Sequence, residues 1–516
     1  MIKIVLSEKD FDYEIQALVN SFFPGQISKV YIAGCDENEA ADLVVDIRFD
    51  MTGITVCVKS DKIDIKGCEK VTGEEDYHKH EGKTTHPYRT YYKNVLKKLL
   101  FSRLSEIDDE KLPEKIVKRI PQWGTMTGVR PTKIAMNEIL SGKDISEVRK
   151  SLKDTYCCSD EKTELGMDIA LREAELLKAC NYKDGYSIYV GIPFCPTTCL
   201  YCSFTSYPYE KFGYLAEEYL NALKKELKYI SEVMEGRKLT SIYIGGGTPT
   251  TLTAVQLKSL VEFIRELFPV KDSYEFTIEA GRPDSITMDK LKVMSELGVH
   301  RISVNPQTMQ QKTLDLIGRK HTVEQTIGAF KMARDAGFDN INMDLIIGLP
   351  GESVEDFEDT LRQIGELNPD SLTIHSLVVK RASRLRSTLE DVGEYGRKDG
   401  EMEKALRMEK MLEIGQKFAY EQGYKPYYMY RQKNSAGHAG STGQENIGYA
   451  KSGKECIYNI LIMEEKQTIV AAGAGASTKI YHKELGQVSR IENVKSIHDY
   501  IERIDEMIDR KRNGLL

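Results

Sequence analysis

From residue 185 onward, short β-branched or aromatic runs alternate with longer amphipathic stretches, and no other feature of the chain narrows its choice of fold so far. The runs are YSIYVGI, TSIYIGGG, YEFTIEAG, HRISVNPQ, INMDLIIG and SLTIHS. Between them, residues 213–234, 253–268, 287–297, 322–336 and 354–366 space their apolar side chains as helices do. The second of these, TLTAVQLKSLVEFIREL, opens on threonines suited to cap a helix. Strands alternating with helices build βαβ units, whose crossovers lay the strands parallel and side by side. No glycine-rich dinucleotide fingerprint follows the first strand, so the expectation is an α/β fold with a partial (β/α)6 barrel rather than a Rossmann sheet.

The barrel is expected over 185–384 of the 516 residues. Ahead of it, MIKIVLS, KVYIAG, ADLVVDIRFD and GITVCVKS read as strands, with helices near 11–20 and 87–104, giving an N-terminal α+β domain over 1–110. Residues 111–184 read as a helical connector, interrupted by RIPQWGTMTGVRPTKI, which carries the single tryptophan, Trp123. The charged stretch 73–90 holds His78, His80 and His86 and reads as a solvated loop leading into a helix. After 385 the alternation dissolves into a charged helix (399–422), tyrosine-rich and glycine-rich segments and a final amphipathic helix (493–511). The expectation there is a C-terminal α+β domain covering the barrel mouth.

Composition excludes some functions. Hydrophobic residues at 41% supply real cores, while a net charge of −7 argues against nucleic-acid binding by bulk electrostatics. The N-terminus lacks a cationic start followed by an apolar stretch, and no window approaches the 18 apolar residues of a membrane span. A soluble, cytoplasmic protein is expected. Of the ten cysteines, Cys35, Cys57, Cys68, Cys157, Cys158, Cys180 and Cys456 are scattered, and most of these seven read as small buried hydrophobes.

The other three are Cys195, Cys199 and Cys202, spaced C-x3-C-x2-C directly after the first barrel strand. Thiolates suit zinc and iron–sulfur clusters alike. Zinc would close its tetrahedron with a fourth ligand, yet the next histidine downstream is His300 and the next cysteine Cys456. A four-iron cluster held by three thiolates instead leaves one iron open to a small molecule. Polar residues recur at strand ends, where barrels of this kind bind ligands: Gly245 to Thr248, Glu279, Gln307 and Asp344, with Arg319 in LIGRKH.

The cysteine spacing, with Tyr201 before the last cysteine, resembles the radical S-adenosylmethionine (SAM) superfamily. The series IPFCPTTCLYCSF, IYIGGGTPT, RISVNPQ, IGRKH and MDLIIGLPGES resembles its oxygen-independent coproporphyrinogen III oxidase (dehydrogenase) family. TGVRPTKI, RQKN and YNILIMEEKQTI are similar to the HemZ type of that family, including its extra N-terminal domain. The resemblance implies a 4Fe–4S cluster on Cys195, Cys199 and Cys202. It implies SAM, one molecule or two, on Tyr189, Tyr201, Gly246, Gly247, Thr248, Glu279, Gln307, Arg319, Asp344 and Val378. The glycines would meet the SAM amino group and Glu279 its ribose.

The implied function is oxidative decarboxylation of coproporphyrinogen III to protoporphyrinogen IX in heme biosynthesis, without a side-chain acid–base dyad. The implied partners are the tetrapyrrole and an electron donor such as flavodoxin or ferredoxin. Four propionates call for local cations, and Lys380, Arg381, Arg384, Arg386, Arg431 and Lys433 are the candidates. Two departures stand out: Gly191 replaces the histidine usual two residues after the leading tyrosine, and Tyr458-Asn459 replaces the H-N of the heme-chaperone signature. The alternatives are another radical SAM reaction on a tetrapyrrole, such as heme methylation or ring opening, and a heme-binding chaperone that keeps the cluster without turnover.

Overall fold

In a computed structural model of the chain, which describes residues 1–34, 40–71, 76–80, 86–202, 206–378, 385, 398–432 and 445–515, two compact units are present. The first takes Met1–Leu171, Lys398–Met402 and Tyr430–Gln444; the second takes Arg172–Arg397, Glu403–Met429 and Glu445–Leu516. The divisions expected at 110, 184 and 384 are not these, because helix Asp160–Cys180 runs across the unit boundary and C-terminal segments return to both units.

The first unit holds a five-stranded sheet of β1 (Ile2–Leu6), β2 (Ser28–Ile32), β3 (Leu43–Phe49), β4 (Gly53–Lys59) and β5 (Asp64–Lys70), in the order β2-β1-β3-β4-β5. Leu43, Val45, Ile47 and Phe49 are buried on one face of β3, the period-two signature of a sheet covered on one side. Ile15, Leu18, Val19 and Phe22 of helix Asp12–Phe22, and Leu96, Leu100 and Leu104 of helix Pro87–Ser105, complete that core. The reading anticipated all of these except β5, a polar edge strand whose sequence DIKGCEK carries almost no alternation. His86 caps the helix it precedes, its Nδ1 accepting from the Tyr88 amide at 3.3 Å. Trp123 is buried, and Gly124 beside it adopts φ +56° where a Cβ would strike the Tyr156 carbonyl, so the insert around it packs as an ordered connector.

The second unit is built on one large sheet. Its strands are β6 (Gly185–Ile192), β9 (Lys238–Gly246), β10 (Glu275–Gly281), β11 (Arg301–Val304), β12 (Ile341–Ile347), β13 (Ser371–Ser376), β14 (Lys425–Arg431), β15 (Glu445–Ala450), β16 (Thr468–Ala472), β17 (Ser477–His482) and β18 (Gln487–Glu492); a separate short pair is β7 (Phe194–Cys195) with β8 (Tyr207–Pro208). β6 and β9 to β13 lie parallel and in chain order, the expected (β/α)6 arrangement. The crossover helices are Ala216–Val233, Ala254–Leu267, Met288–Glu296, Val323–Asp335 and Val354–Leu367. Three begin with reciprocal capping boxes, Thr253 with Gln256, Thr322 with Gln325 and Ser353 with Asp356, which satisfy otherwise orphaned amides.

The C-terminal segment joins this sheet rather than forming one of its own. β15 pairs antiparallel with β13 at one edge, and β16 pairs parallel with β6 at the other, followed by β17 and β18. The physical reason is the sheet edge: both outer barrel strands would otherwise present unpaired backbone groups, and C-terminal strands cover them.

One face of the parallel strands is apolar, with Ile188, Ile242, Ile244, Phe276, Ile278 and Ile302 fully buried. The other face is polar. Ser187, Tyr189 and Gly191 of β6 stand opposite Ser241, Tyr243 and Gly245 of β9. Next come Thr277 and Glu279 on β10, Arg301 and Ser303 on β11, Asn342 and Asp344 on β12, and Ser371 and Thr373 on β13. A polar inner face with functional groups toward the strand C-termini is the arrangement of a ligand-binding barrel.

Candidate functional site

The three cysteines stand on the loop that leaves β6. The loop is fastened to its surroundings by backbone bonds: Gly247 N to Ile192 O at 2.7 Å, Thr248 N to Phe194 O at 2.7 Å and Leu200 N to Ile317 O at 3.1 Å. The Thr248 hydroxyl donates to Cys195 Sγ at 3.6 Å. Cys199 is buried, while Cys195 and Cys202 are partly accessible. Burial pushes the Cys195 thiol up to about 11. Burial also acts on Cys199, but Arg319 and Arg282 outweigh it and hold that thiol below its ordinary range. Cations beside a thiol favour the thiolate, the form that ligates metal.

Arg282 is the member of this group that the sequence reading missed. Its guanidinium donates to Thr197 Oγ1 at 2.6 Å and to the Thr197 carbonyl at 3.2 Å, and it lies 3.9 Å from Cys199 Sγ. Asp284 holds it from the other side at 2.6 Å. AGRPDS reads as a turn, and only folding brings Arg282 to a thiol 83 residues away. Arg319, anticipated as a ligand residue, donates to the carbonyls of Asn305 at 2.6 Å and Pro306 at 3.0 Å and faces Cys199.

Each glycine of the β9 end has its own steric reason. A Cβ on Gly247 would meet the Phe194 carbonyl at 2.5 Å and Cys195 Sγ at 3.0 Å. Gly246 adopts φ +111°, a conformation L side chains rarely take. On Gly245 a Cβ would lie 2.9 Å from the Glu279 carboxyl carbon. Gly191, in contrast, would meet ordinary contacts at 3.4 Å; its carbonyl accepts from the Tyr219 hydroxyl at 2.6 Å.

Glu279 closes β10, with the Tyr243 hydroxyl donating to its Oε1 at 2.5 Å. Burial pushes its carboxyl up to about 7, against the lowering effect of that hydrogen bond. Asp344 behaves oppositely: burial would raise it, but His375, whose Nε2 lies 3.9 Å away, and the Asn342 amide at 2.7 Å hold it low. Gln307 takes a left-handed φ of 71°, fixed by bonds to the backbone of β12 at both its amide and its carbonyl. Its side-chain Oε1 is buried with no protein partner among the described residues, as expected of an atom reserved for a ligand. Tyr189, Tyr243 and Tyr458 form a stack, with ring centroids 6.3 Å (Tyr189–Tyr243), 6.1 Å (Tyr189–Tyr458) and 4.4 Å (Tyr243–Tyr458) apart and interplanar angles under 21°.

The fold therefore gathers Tyr189, Tyr201, Gly246, Gly247, Thr248, Glu279, Gln307, Arg319 and Asp344 with the cysteine loop into the second unit, on the loops and strand ends of one barrel. Val378 follows β13 and is half-buried. Lys380, Arg381, Arg384, Arg386 and Lys433 lie outside the described residues. Arg431, at the end of β14 that is assigned to the first unit, donates to the carbonyls of Met126 and Gly128 and lies 6.0 Å from the Trp123 ring centroid, so its guanidinium is hydrogen-bonded there.

The donor set fits a four-iron cluster. It offers three thiols on one loop, with Arg282 and Arg319 facing Cys199, so that three irons could each take a thiolate and the fourth stay open. No helix of the described residues is long and apolar enough to cross a membrane.

Comparison with known proteins agrees with this geometry. The family profile "Radical SAM superfamily" matches residues 189–364. The oxygen-independent coproporphyrinogen-III oxidase-like protein HemZ of Bacillus subtilis (strain 168) is 42% identical over 394 residues, 76% of each chain. The heme chaperone HemW of the same organism is 39% identical over 195 residues, 38% of this chain and 51% of its own. The oxygen-independent coproporphyrinogen III oxidase of Escherichia coli (strain K12) is 34% identical over 188 residues, 36% of this chain and 41% of its own.

Proposed function

For a chain that belongs to the radical SAM superfamily, among the oxygen-independent coproporphyrinogen III oxidase-like proteins, we propose oxygen-independent oxidative decarboxylation of coproporphyrinogen III. The observation that carries the reading is the thiol loop locked against Gly246, Gly247 and Thr248, with Glu279, Gln307 and Asp344 at neighbouring strand ends.

Cys195, Cys199 and Cys202 would hold the 4Fe–4S cluster used by this family, and the strand-end residues would hold SAM. When bound, the pair supplies a 5′-deoxyadenosyl radical able to take a hydrogen atom from an unactivated carbon. Against the opposing effect of burial, Arg319 and Arg282 lower the Cys199 thiol and so favour the thiolate form that a cluster would take. Gly247 lets the β9 loop sit against Cys195, and Gly246 supplies backbone that no side chain shields. Gln307 Oε1 and the Asp344 carboxylate offer acceptors to donors of the ligand, and Glu279 accepts from sugar hydroxyls.

Each propionate that becomes a vinyl group gives one hydrogen atom to the adenosyl radical, one electron to an external one-electron acceptor, and leaves carbon dioxide; two such steps give protoporphyrinogen IX. Orientation of the propionate β-carbon is assigned to the basic segment around Lys380, Arg381 and Arg384, with Lys433 as a further candidate.

The test is an anaerobic assay of reduced, cluster-loaded protein with SAM and coproporphyrinogen III, read by mass spectrometry. The expected result is 5′-deoxyadenosine with a doubly decarboxylated porphyrinogen. Stoichiometric heme binding without that product would instead favour the chaperone activity carried by HemW's name, and a methylated or ring-opened tetrapyrrole would favour a different radical reaction.

A further inference from the structure

Two of the three stacked tyrosines, Tyr243 and Tyr458, have no role assigned so far, yet Tyr243 donates directly to the buried Glu279 carboxylate. Tyr243 comes from β9, Tyr189 from β6 and Tyr458 from helix Ile457–Glu464. The closest pair is Tyr243 with Tyr458, at 4.4 Å and 19°. Tyr243 reaches past Gly245 to Glu279; a methyl group at 245 would meet both the Tyr243 ring at 2.8 Å and the Glu279 carboxyl carbon at 2.9 Å. The other end of the same strand holds Tyr458 in place. Glu275, which opens β10, accepts from Cys456 Sγ at 3.3 Å and from the amides of Ile457 at 2.6 Å and Tyr458 at 3.4 Å, capping the helix that carries the ring. Two carboxylates four residues apart on one strand thus fix the two ends of a single assembly.

We propose that Tyr243 is a positioning residue that holds the Glu279 carboxylate in one orientation toward the sugar hydroxyls of the nucleoside cofactor, and that the Tyr458 ring holds Tyr243. The proposal rests on the assignment of Glu279 to the sugar made above. A carboxylate free to rotate would lose part of its binding energy to rotamer entropy before it met a hydroxyl pair; a phenol donor on one oxygen removes that freedom and leaves the other oxygen for the ligand. Burial keeps the Tyr243 phenol protonated and therefore a donor.

The groups that act on Glu279 are Tyr243 on β9, Tyr189 on β6, Arg301 on β11, Asp344 on β12, Tyr458 on the capped helix and the backbone amide of Gly246. Burial raises the carboxyl to about 7, and Tyr243 works against that rise. Cofactor binding through an ionised Glu279 then strengthens as pH climbs through about 7, and loss of the phenol moves that midpoint upward.

The experiment measures equilibrium binding of SAM, and of an analogue lacking both ribose hydroxyls, to cluster-loaded protein without reductant between pH 6 and 9. Tyr243→Phe is expected to weaken SAM about tenfold, the scale of one charge-assisted hydrogen bond, to leave the analogue unchanged, and to shift the pH midpoint up. Tyr458→Phe keeps the ring and should bind as the parent does, whereas Tyr458→Leu should follow Tyr243→Phe. Gly245→Ala, which forces the tyrosine and carboxylate apart, gives an independent route to the same loss. Tyr243→Phe binding SAM as tightly as the parent with the same midpoint overturns the proposal, as does equal weakening of SAM and the analogue, which is the mark of mere loosening. Glu279→Gln separates the layers. If it leaves SAM affinity intact, the sugar assignment itself falls; if it weakens SAM while Tyr243→Phe does not, only the positioning role falls.

Discussion

Gly247 shows how much chemistry one absent methyl group permits. Its missing Cβ leaves the space in which the β9 loop meets the Phe194 backbone carbonyl, at 2.5 Å from where a Cβ would stand, and the Cys195 side-chain Sγ, at 3.0 Å. Gly247→Ala is therefore expected to cut iron incorporation by more than half and SAM affinity by about tenfold or more, a misplacement effect of the size expected when reacting groups move by an ångström. Iron analysis and equilibrium binding check it; full iron and parent affinity would show that the loop can shift without cost. Cys199→Ala removes the thiol that two arginines face and should abolish the iron–sulfur absorbance. A variant that still loads a full cluster would remove Cys199 from the ligand set.

At the scale of elements, the barrel's outer layer is tied to the C-terminus through one buried anion. Glu226 of helix Ala216–Val233 accepts from Lys511 Nζ at 2.6 Å, Asn493 Nδ2 at 2.8 Å, the Gly473 amide at 2.9 Å and the Tyr500 hydroxyl at 2.5 Å. Both ends of the Glu226–Lys511 ion pair are fully buried. Burial makes such a pair costly to break and weak as net stabilisation, because the surviving charge keeps its desolvation penalty. Lys511→Met is expected to cost roughly 3–5 kcal/mol in denaturant unfolding, and Glu226→Gln combined with Lys511→Met should recover part of that loss. An additive double variant would mean that the charges do not interact.

The same scale shows where periodicity could be read and where it failed. The five crossover helices and six parallel strands were legible because each must bury an apolar face, which writes a period into the sequence. β5 was not, since an edge strand facing solvent carries little pattern, and helix Gln311–Leu316 is too short to show one. The role of Cys456 to Glu464 as a capped helix depends on Glu275, 181 residues away from Cys456, and no local signal announces it.

For the whole molecule, the site loop lies outside the hydrogen-bond ladder of the large sheet. The ladder runs from β14 to β18 without using a residue of that loop. Stripping the cluster with a chelator is thus expected to leave far-UV circular dichroism unchanged while abolishing SAM binding. Adding SAM at about 100 times its Kd to loaded protein should stabilise it by about 2.7 kcal/mol. Loss of secondary structure on chelation would show instead that cluster and fold are coupled, as in zinc fingers.

The sequence alone determined the chemistry and the sheet. C-x3-C-x2-C with no fourth ligand nearby in the chain, together with the family resemblance its surroundings carry, pointed to a cluster with an open iron, because closely spaced thiols are a local feature that can be read without the fold. Alternating periods named the parallel barrel, because burial on two faces is a local demand on composition. Tertiary structure decided the rest: that C-terminal strands close both sheet edges, that Arg282 reaches Cys199, and that Tyr458 backs the tyrosine holding Glu279. Each of these joins residues far apart in the chain. Their partnership comes from the geometry of strands laid side by side, for which a linear pattern carries no period and no spacing.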